Sequence, residues 1–158
     1  MPTLVSSAGK IFYIMDEGVR GLFDSRFPER WAVIARDAFN GIVLWKLPIS
    51  DWGWKAWRPQ MDEIDWRRMP SYRCASPLSL PRRLVAAGDR VYTTLGYQAP
   101  VVALDAATGR TLMTYAGTEH TDEILLHDGR LLLCVRPPAR RDEESSGNKR
   151  RGEPAASS

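Results

Sequence analysis

The sequence predicts an all-β protein built from a repeated four-stranded unit, and three observations carry that expectation. The pattern Ala-x-Asp-x-x-x-Gly-x-x-x-Trp occupies Ala35, Asp37, Gly41 and Trp45, and returns at Ala103, Asp105, Gly109 and, in place of the tryptophan, Met113. Each copy sits between two short apolar runs, as two antiparallel strands joined by a tight corner would require. Upstream of each copy, a turn containing Gly leads through a basic residue into an apolar strand, at Gly9-Lys10-Ile11-Phe12 and at Gly88-Asp89-Arg90-Val91, and the same opening occurs a third time at Asp128-Gly129-Arg130-Leu131.

Taken in order, the first unit opens with a strand over Lys10 to Ile14 and continues with a partner from Arg30 to Asp37, both rich in the β-branched and aromatic residues that suit a pleated surface. Asp37 closes that partner because its carboxylate can accept hydrogen bonds from turn amides, and Gly41 follows where the chain needs a positive φ. A strand through Val43-Leu44-Trp45 completes the unit. The second unit repeats this more compactly, with strands at Arg90 to Leu95, Val101 to Asp105 and Arg110 to about Tyr115. Arg130 follows Arg90 by 40 residues, a spacing typical of such repeats, whereas Lys10 precedes Arg90 by 80. Two insertions account for the longer interval without a hidden unit: a loop around Glu17 to Glu29 inside the first unit, and a long connection from about Pro48 to Pro81.

Composition places the chain among globular proteins, since 158 residues with 44% hydrophobic and 26% charged content suffice for a core. No apolar run approaches the roughly 20 residues of a membrane-spanning helix, so no membrane span is expected. The first residues lack the basic start and long apolar stretch of a secretory signal. A net charge of +3, with the pairs Arg67-Arg68, Arg82-Arg83, Arg140-Arg141 and Arg150-Arg151 scattered among acids, reads as solvated loop charge and not as a nucleic-acid stripe. Cys74 and Cys134 stand in neither Cys-x-x-Cys nor zinc-ligand spacing and read as separate thiols, with a disulfide between them as the alternative.

The segment Ala35 to Trp45 resembles the tryptophan-docking motif of the pyrroloquinoline-quinone-type β-propeller repeat, and Asp105-Ala106-Ala107-Thr108-Gly109-Arg110 is close to that motif's most typical form. The resemblance covers Ser6 to Trp45 and Leu84 to Val135, and it extends to bacterial proteins made of such blades. It implies a partial β-propeller: a blade over 4–48, an insertion over 49–81, a second blade over 82–117 and the start of a third over 118–136. It also implies that Trp45 anchors one blade on the next, that Ala35 and Ala103 leave room for this packing, and that Met113, a flexible apolar filler, docks more weakly. Ile42 departs from the lysine usual in the family.

Chemistry is sparse. Quinone binding in the related dehydrogenases uses an adjacent cysteine pair that this chain lacks, so the resemblance implies the repeat and no cofactor. His120 and His127 flank Asp122 and Glu123, but without a third convergent ligand these residues read as turn formers, and no metal or catalytic group is expected. Asp62, Glu63 and Asp65 beside Arg67 and Arg68 read as a solvated cluster.

The insertion is the most unusual stretch, because five of the six tryptophans lie in it or at its start: Trp45, Trp52, Trp54, Trp57 and Trp66. Their first reading is packing against the blade edge. The alternative is an exposed platform in which Trp52, Trp54 and Trp57 contact a protein partner or a glycan.

Residues 137–158 are charged and rich in Ser, Gly and Pro, and are expected to form a disordered tail or linker. Two blades and a part cannot close a ring of four to eight, because each open face is covered only by a neighbour. The expected role is therefore a non-enzymatic binding scaffold, part of a larger bacterial cell-envelope protein that supplies further blades. The competing reading is a remnant of a quinoprotein oxidoreductase, and a third is a sensor module fused to a catalytic domain.

Overall fold

The computed structural model describes residues 4–18, 29–57, 77 and 79–136. The segment read as a tail, the insertion residues Asp62, Glu63, Asp65 and Trp66, and Cys74 lie outside the described residues.

The chain is all-β, with strands β1 (Leu4–Ser7), β2 (Lys10–Asp16), β3 (Trp31–Asp37), β4 (Val43–Pro48), β5 (Val85–Ala87), β6 (Arg90–Thr94), β7 (Val101–Asp105), β8 (Thr111–Tyr115), β9 (Thr121–His127) and β10 (Arg130–Val135). They form two four-stranded antiparallel sheets in sequential order, β1-β2-β3-β4 and β5-β6-β7-β8, and a two-stranded sheet, β9-β10. A single-turn helix α1 (Trp54–Trp57) and a 3-10 turn over Leu80–Arg83 lie in the connection between the two larger sheets.

Each sheet opens with a two-residue turn, flanked by the register pairs Ser7↔Lys10, Ala87↔Arg90 and His127↔Arg130. The second and third strands then pair so that the basic residue faces the corner aspartate, Lys10↔Asp37 in the first sheet and Arg90↔Asp105 in the second. The fourth strand meets the third with the motif residues opposite one another, Ala35↔Trp45 and Ala103↔Met113, and in both sheets the register shifts immediately beyond that pair.

Alternation along the strands sorts the side chains onto two faces. Phe12, Ile14, Val33 and Ala35 of the first sheet meet Val91, Val102, Leu104 and Ala106 of the second, with Ile49, Trp52, Leu80 and Leu84 from the connection joining the same cluster. The opposite face of the second sheet carries Tyr92, Val101 and Ala103, which pack with Ile124 and the half-buried Leu126, Leu131 and Leu133 of the hairpin. The middle sheet is thus covered on both sides, which explains why four consecutive residues of β7, Val101 to Leu104, are buried. The first strands of the three sheets lie side by side, β1 against β5 and β5 against β9.

Candidate functional site

Because every sheet is a sequential meander, alternate connections fall at opposite ends of the stack. One end holds the short turns and the two motif corners. The other holds, among the described residues, the ends of the longer connections at 17–18, 29–30, 49–57 and 79–84 and the loops 95–100 and 116–120.

At the short-turn end the two corners share one hydrogen-bond scheme. Asp37 Oδ1 accepts from the amides of Phe39 (2.9 Å) and Asn40 (3.0 Å), and its carbonyl accepts from the Gly41 amide at 3.0 Å. Asp105 Oδ1 accepts from the amides of Ala107 (3.0 Å) and Thr108 (2.8 Å) and also from the Thr108 hydroxyl at 2.8 Å, while its carbonyl accepts from the Gly109 amide at 2.8 Å. The hydroxyl bond from Thr108, aided by the amides, holds the Asp105 carboxyl below the usual aspartate range. Gly41 and Gly109 both take positive φ, +73° and +74°, a region that costs any residue with a Cβ. Each corner is also tied to the turn before its second strand, by Ala38 N–H donating to the Gly9 carbonyl at 2.9 Å and Ala106 N–H donating to the Asp89 carbonyl at 2.8 Å.

The corners differ in what covers them. Trp45, from the first sheet, lays its indole over the corner of the second: Trp45 Nε1 donates to the Ala106 carbonyl at 3.1 Å, and its ring lies 2.7 Å from where a Cβ on Gly109 would stand. Its other side meets Phe12, with ring centroids 6.0 Å apart. Ala35, directly opposite Trp45 in the ladder, is fully buried beneath it. Met113, the counterpart of Trp45, is 53% exposed.

The long-loop end carries an aromatic and ionic cluster. Tyr97 N–H donates to the Asp51 carbonyl at 2.7 Å, beside a parallel bridge between Asp51 and Gly96, and this stitches the connection to the 95–100 loop. Trp57 sets its ring edge-on to both Trp31 and Tyr97, each with centroids 6.0 Å apart. Beneath them Arg83 is 2% exposed. It donates from Nη1 to the Tyr97 carbonyl (2.6 Å) and from Nη2 to Asp122 Oδ1 (3.0 Å), with its guanidinium 5.0 Å from the Tyr97 ring centre and 6.0 Å from that of Trp52. Burial lowers the Arg83 pKa. Arg136 Nε donates to Asp122 Oδ2 at 2.9 Å. Although its partial desolvation acts upward, the hydrogen bonds from Arg136 and Arg83 hold the Asp122 carboxyl below the usual range.

These contacts correct one sequence expectation and decide between two others. Arg83 is not solvated loop charge but a buried cation, because Asp122, 39 residues downstream, and the Tyr97 carbonyl receive its protons. Trp52 follows the packing reading and not the exposed-platform alternative: at 5% exposure it belongs to the core that joins the two larger sheets. Trp57 is half-buried against Trp31 and Tyr97, and Trp54 lies on the helical turn between them in sequence.

Sequence reasoning missed Tyr97 and Arg83, which have no motif around them. The only signal was an arginine placed directly before a buried leucine at the start of a strand. The segment around His120 serves the backbone: Thr118 Oγ1 accepts from the Val101 amide at 2.8 Å and donates to the Tyr115 carbonyl at 2.6 Å, while Thr121 Oγ1 donates to the Thr118 carbonyl at 2.6 Å.

Asp51, Ala56, Gly96, Tyr97, Gln98 and Ala99 line a depression of about 450 Å³ at this end. It offers one aromatic ring, a carboxylate and a primary amide, a set suited to hydroxyl-bearing or amide ligands. Among the described residues no group of three or more His, Cys, Asp and Glu converges as a metal ion would require, and no helix is long and apolar enough to cross a membrane. Neither a family model nor a curated protein sequence matches this chain.

Proposed function

We propose that this chain is a repeat segment of a β-propeller that acts as a non-enzymatic binding scaffold, with its loop-rich end contacting a protein or glycan partner. The observation that carries the reading is the joint at Trp45. One sheet places an indole from its fourth strand onto the corner of the next, and the first strands of successive sheets lie together, as blades around an axis would do. Rigid sheets of this kind leave the connecting loops free to vary, which is where binding function usually sits. The cell-envelope setting and the bacterial source rest on the resemblance of the two corner motifs.

On this reading the contact surface is the depression beside Tyr97, with Asp51 and Gln98 supplying polar partners and Trp57 fixing the Tyr97 ring from behind. Chito-oligosaccharides, titrated against the full chain while tryptophan fluorescence is followed, provide a first probe. Saturable binding weakened about tenfold by Tyr97→Ala, with the circular dichroism of the sheets retained, is the expected result. Binding that ignores the substitution would remove the loop-rich end as the contact surface. Dye-linked alcohol oxidation after addition of pyrroloquinoline quinone and calcium would replace the scaffold reading with that of an oxidoreductase.

A further inference from the structure

We infer that Arg83 is a positioning residue through which the hairpin β9-β10 sets the shape of the Tyr97 loop, and with it the contact surface at the loop-rich end. The guanidinium lies between two acceptors that belong to different parts of the fold. Nη1 donates to the Tyr97 carbonyl in the 95–100 loop at 2.6 Å, and Nη2 donates to Asp122 Oδ1 on β9 at 3.0 Å. Nε has no partner, so neither bond has a substitute. The arginine itself comes from a third part, the 3-10 turn over Leu80–Arg83, which packs against β9.

Charge decides what each bond does. At 2% exposure Arg83 is a cation held out of water, and such a group is stable only beside a counter-charge and with its protons accepted. Asp122 is that counter-charge, a task the neutral Tyr97 carbonyl cannot take over. The adjacent pair, Arg82 with Glu123 at 3.6 Å, has its arginine 63% exposed and contributes little. Without a carboxylate at position 122 the Arg83 guanidinium is driven toward water. The Tyr97 ring, centred 5.0 Å away, and the Trp52 ring, at 6.0 Å, cover it, so its exit releases the Tyr97 carbonyl and disturbs the loop above.

That loop supplies Gly96, Tyr97, Gln98 and Ala99 to the depression, whereas no residue of the hairpin lines it. The hairpin therefore acts on a surface that it does not touch, through one buried side chain. Coupling of this kind needs a continuous physical link between the two places, and Asp122, Arg83 and the Tyr97 carbonyl form one.

The step from loop to ligand rests on the contact-surface reading above, but the coupling itself is read without any ligand. Hydrogen exchange on the full chain follows the Tyr97 amide, which donates to the Asp51 carbonyl. Asp122→Asn keeps the size of the side chain and removes its charge, and should speed exchange at Tyr97 about tenfold more than at the amides of β2. Glu123→Gln should change neither. The double variant Arg83→Met with Asp122→Asn separates positioning from stability. It removes the buried charge altogether, so the melting temperature should return close to the wild-type value. The Tyr97 carbonyl still lacks its donor, however, and exchange there should stay fast. Chito-oligosaccharide affinity should follow exchange and not melting temperature, falling about fivefold or more in both variants.

A Tyr97 amide that keeps its wild-type rate in Asp122→Asn would overturn the inference, because the hairpin would not reach the loop. Recovery of that rate in the double variant would also overturn it, leaving Arg83 a role in stability alone. Faster exchange with unchanged affinity would break the step from loop to surface. If the wild-type chain binds no chito-oligosaccharide, it is the contact-surface reading that fails, and the exchange rates still uphold or overturn the coupling.

Discussion

The corner of the first sheet and the corner of the second are built alike and loaded differently. Both use an aspartate to collect turn amides and a glycine at positive φ to bring the chain back. Gly109, however, lies beneath the Trp45 indole, whereas a Cβ on Gly41 would meet nothing within 4 Å. The fourth strands differ in the complementary sense, since Trp45 is packed and Met113 is open. The comparison separates two tasks that the motif merges. Aspartate and glycine make the local turn, which both sheets need. Tryptophan, and the absence of a side chain on the glycine it covers, make a joint between sheets, which among the described residues only one pair of sheets completes.

Breaking the joint should have the largest effect. Trp45→Ala removes the ring that touches Phe12 and the Ala106–Gly109 corner, and for a half-buried tryptophan the cost is about 3 kcal/mol, or a fall in melting temperature of about 8 °C. Thermal denaturation followed by circular dichroism measures it, and a change below about 1 °C would mean that the sheets are held by the remaining core alone. The glycines then divide the comparison. Gly41→Ala carries only the backbone penalty of positive φ, about 1 kcal/mol, because its Cβ enters open space. Gly109→Ala carries that penalty and must also displace the indole, about 2–3 kcal/mol in all. Equal losses at the two positions would show that Trp45 does not press on Gly109 in solution.

Much of this was legible in the sequence for a definite reason. Alternation of apolar residues, Asp and Gly at fixed offsets, and a basic residue at each strand start are local signals, and they specified antiparallel sheets and their corners without reference to the rest of the chain. The pairing of Lys10 with Asp37 and of Arg90 with Asp105 follows from those signals once the corner is placed. What the sequence hid was non-local. Arg83 looks like any surface arginine until Asp122 and the Tyr97 carbonyl are brought beside it, and which of the insertion tryptophans packs, as Trp52 does, is decided only when both sheets close over it. Tyr97 stands in a short loop with no motif, and its candidacy comes only from the neighbours that folding gives it: Asp51, Trp57 and Arg83.

The corners can also be told apart by titration. The Thr108 hydroxyl is the largest influence holding the Asp105 carboxyl low, and the first sheet has Asn40 at the equivalent place, whose side-chain oxygen accepts from the Ile42 amide instead. Thr108→Val should therefore raise the Asp105 pKa toward the ordinary aspartate value, as read from carboxyl carbon shifts in an NMR titration. The sign for stability follows from linkage. A carboxyl whose folded pKa is depressed stabilises the fold above its unfolded pKa and loses that contribution as pH falls through the folded value. The wild-type corner should thus persist to lower pH than the Thr108→Val corner, and an unchanged Asp105 titration would remove the hydroxyl from the account.

The smallest effect is the most discriminating. Met113→Trp places the tryptophan of the first copy on β8, yet among the described residues the two-stranded hairpin offers no corner for an indole to reach. The substitution should therefore change stability by less than about 0.5 kcal/mol, the range of an exposed site, in contrast to the loss at Trp45. A substantial gain in melting temperature would mean that a packing surface for this position already exists. The motif's tryptophan is thus stabilising only where a following corner exists to receive it, so its value belongs to the pair of sheets and not to the sheet that carries it.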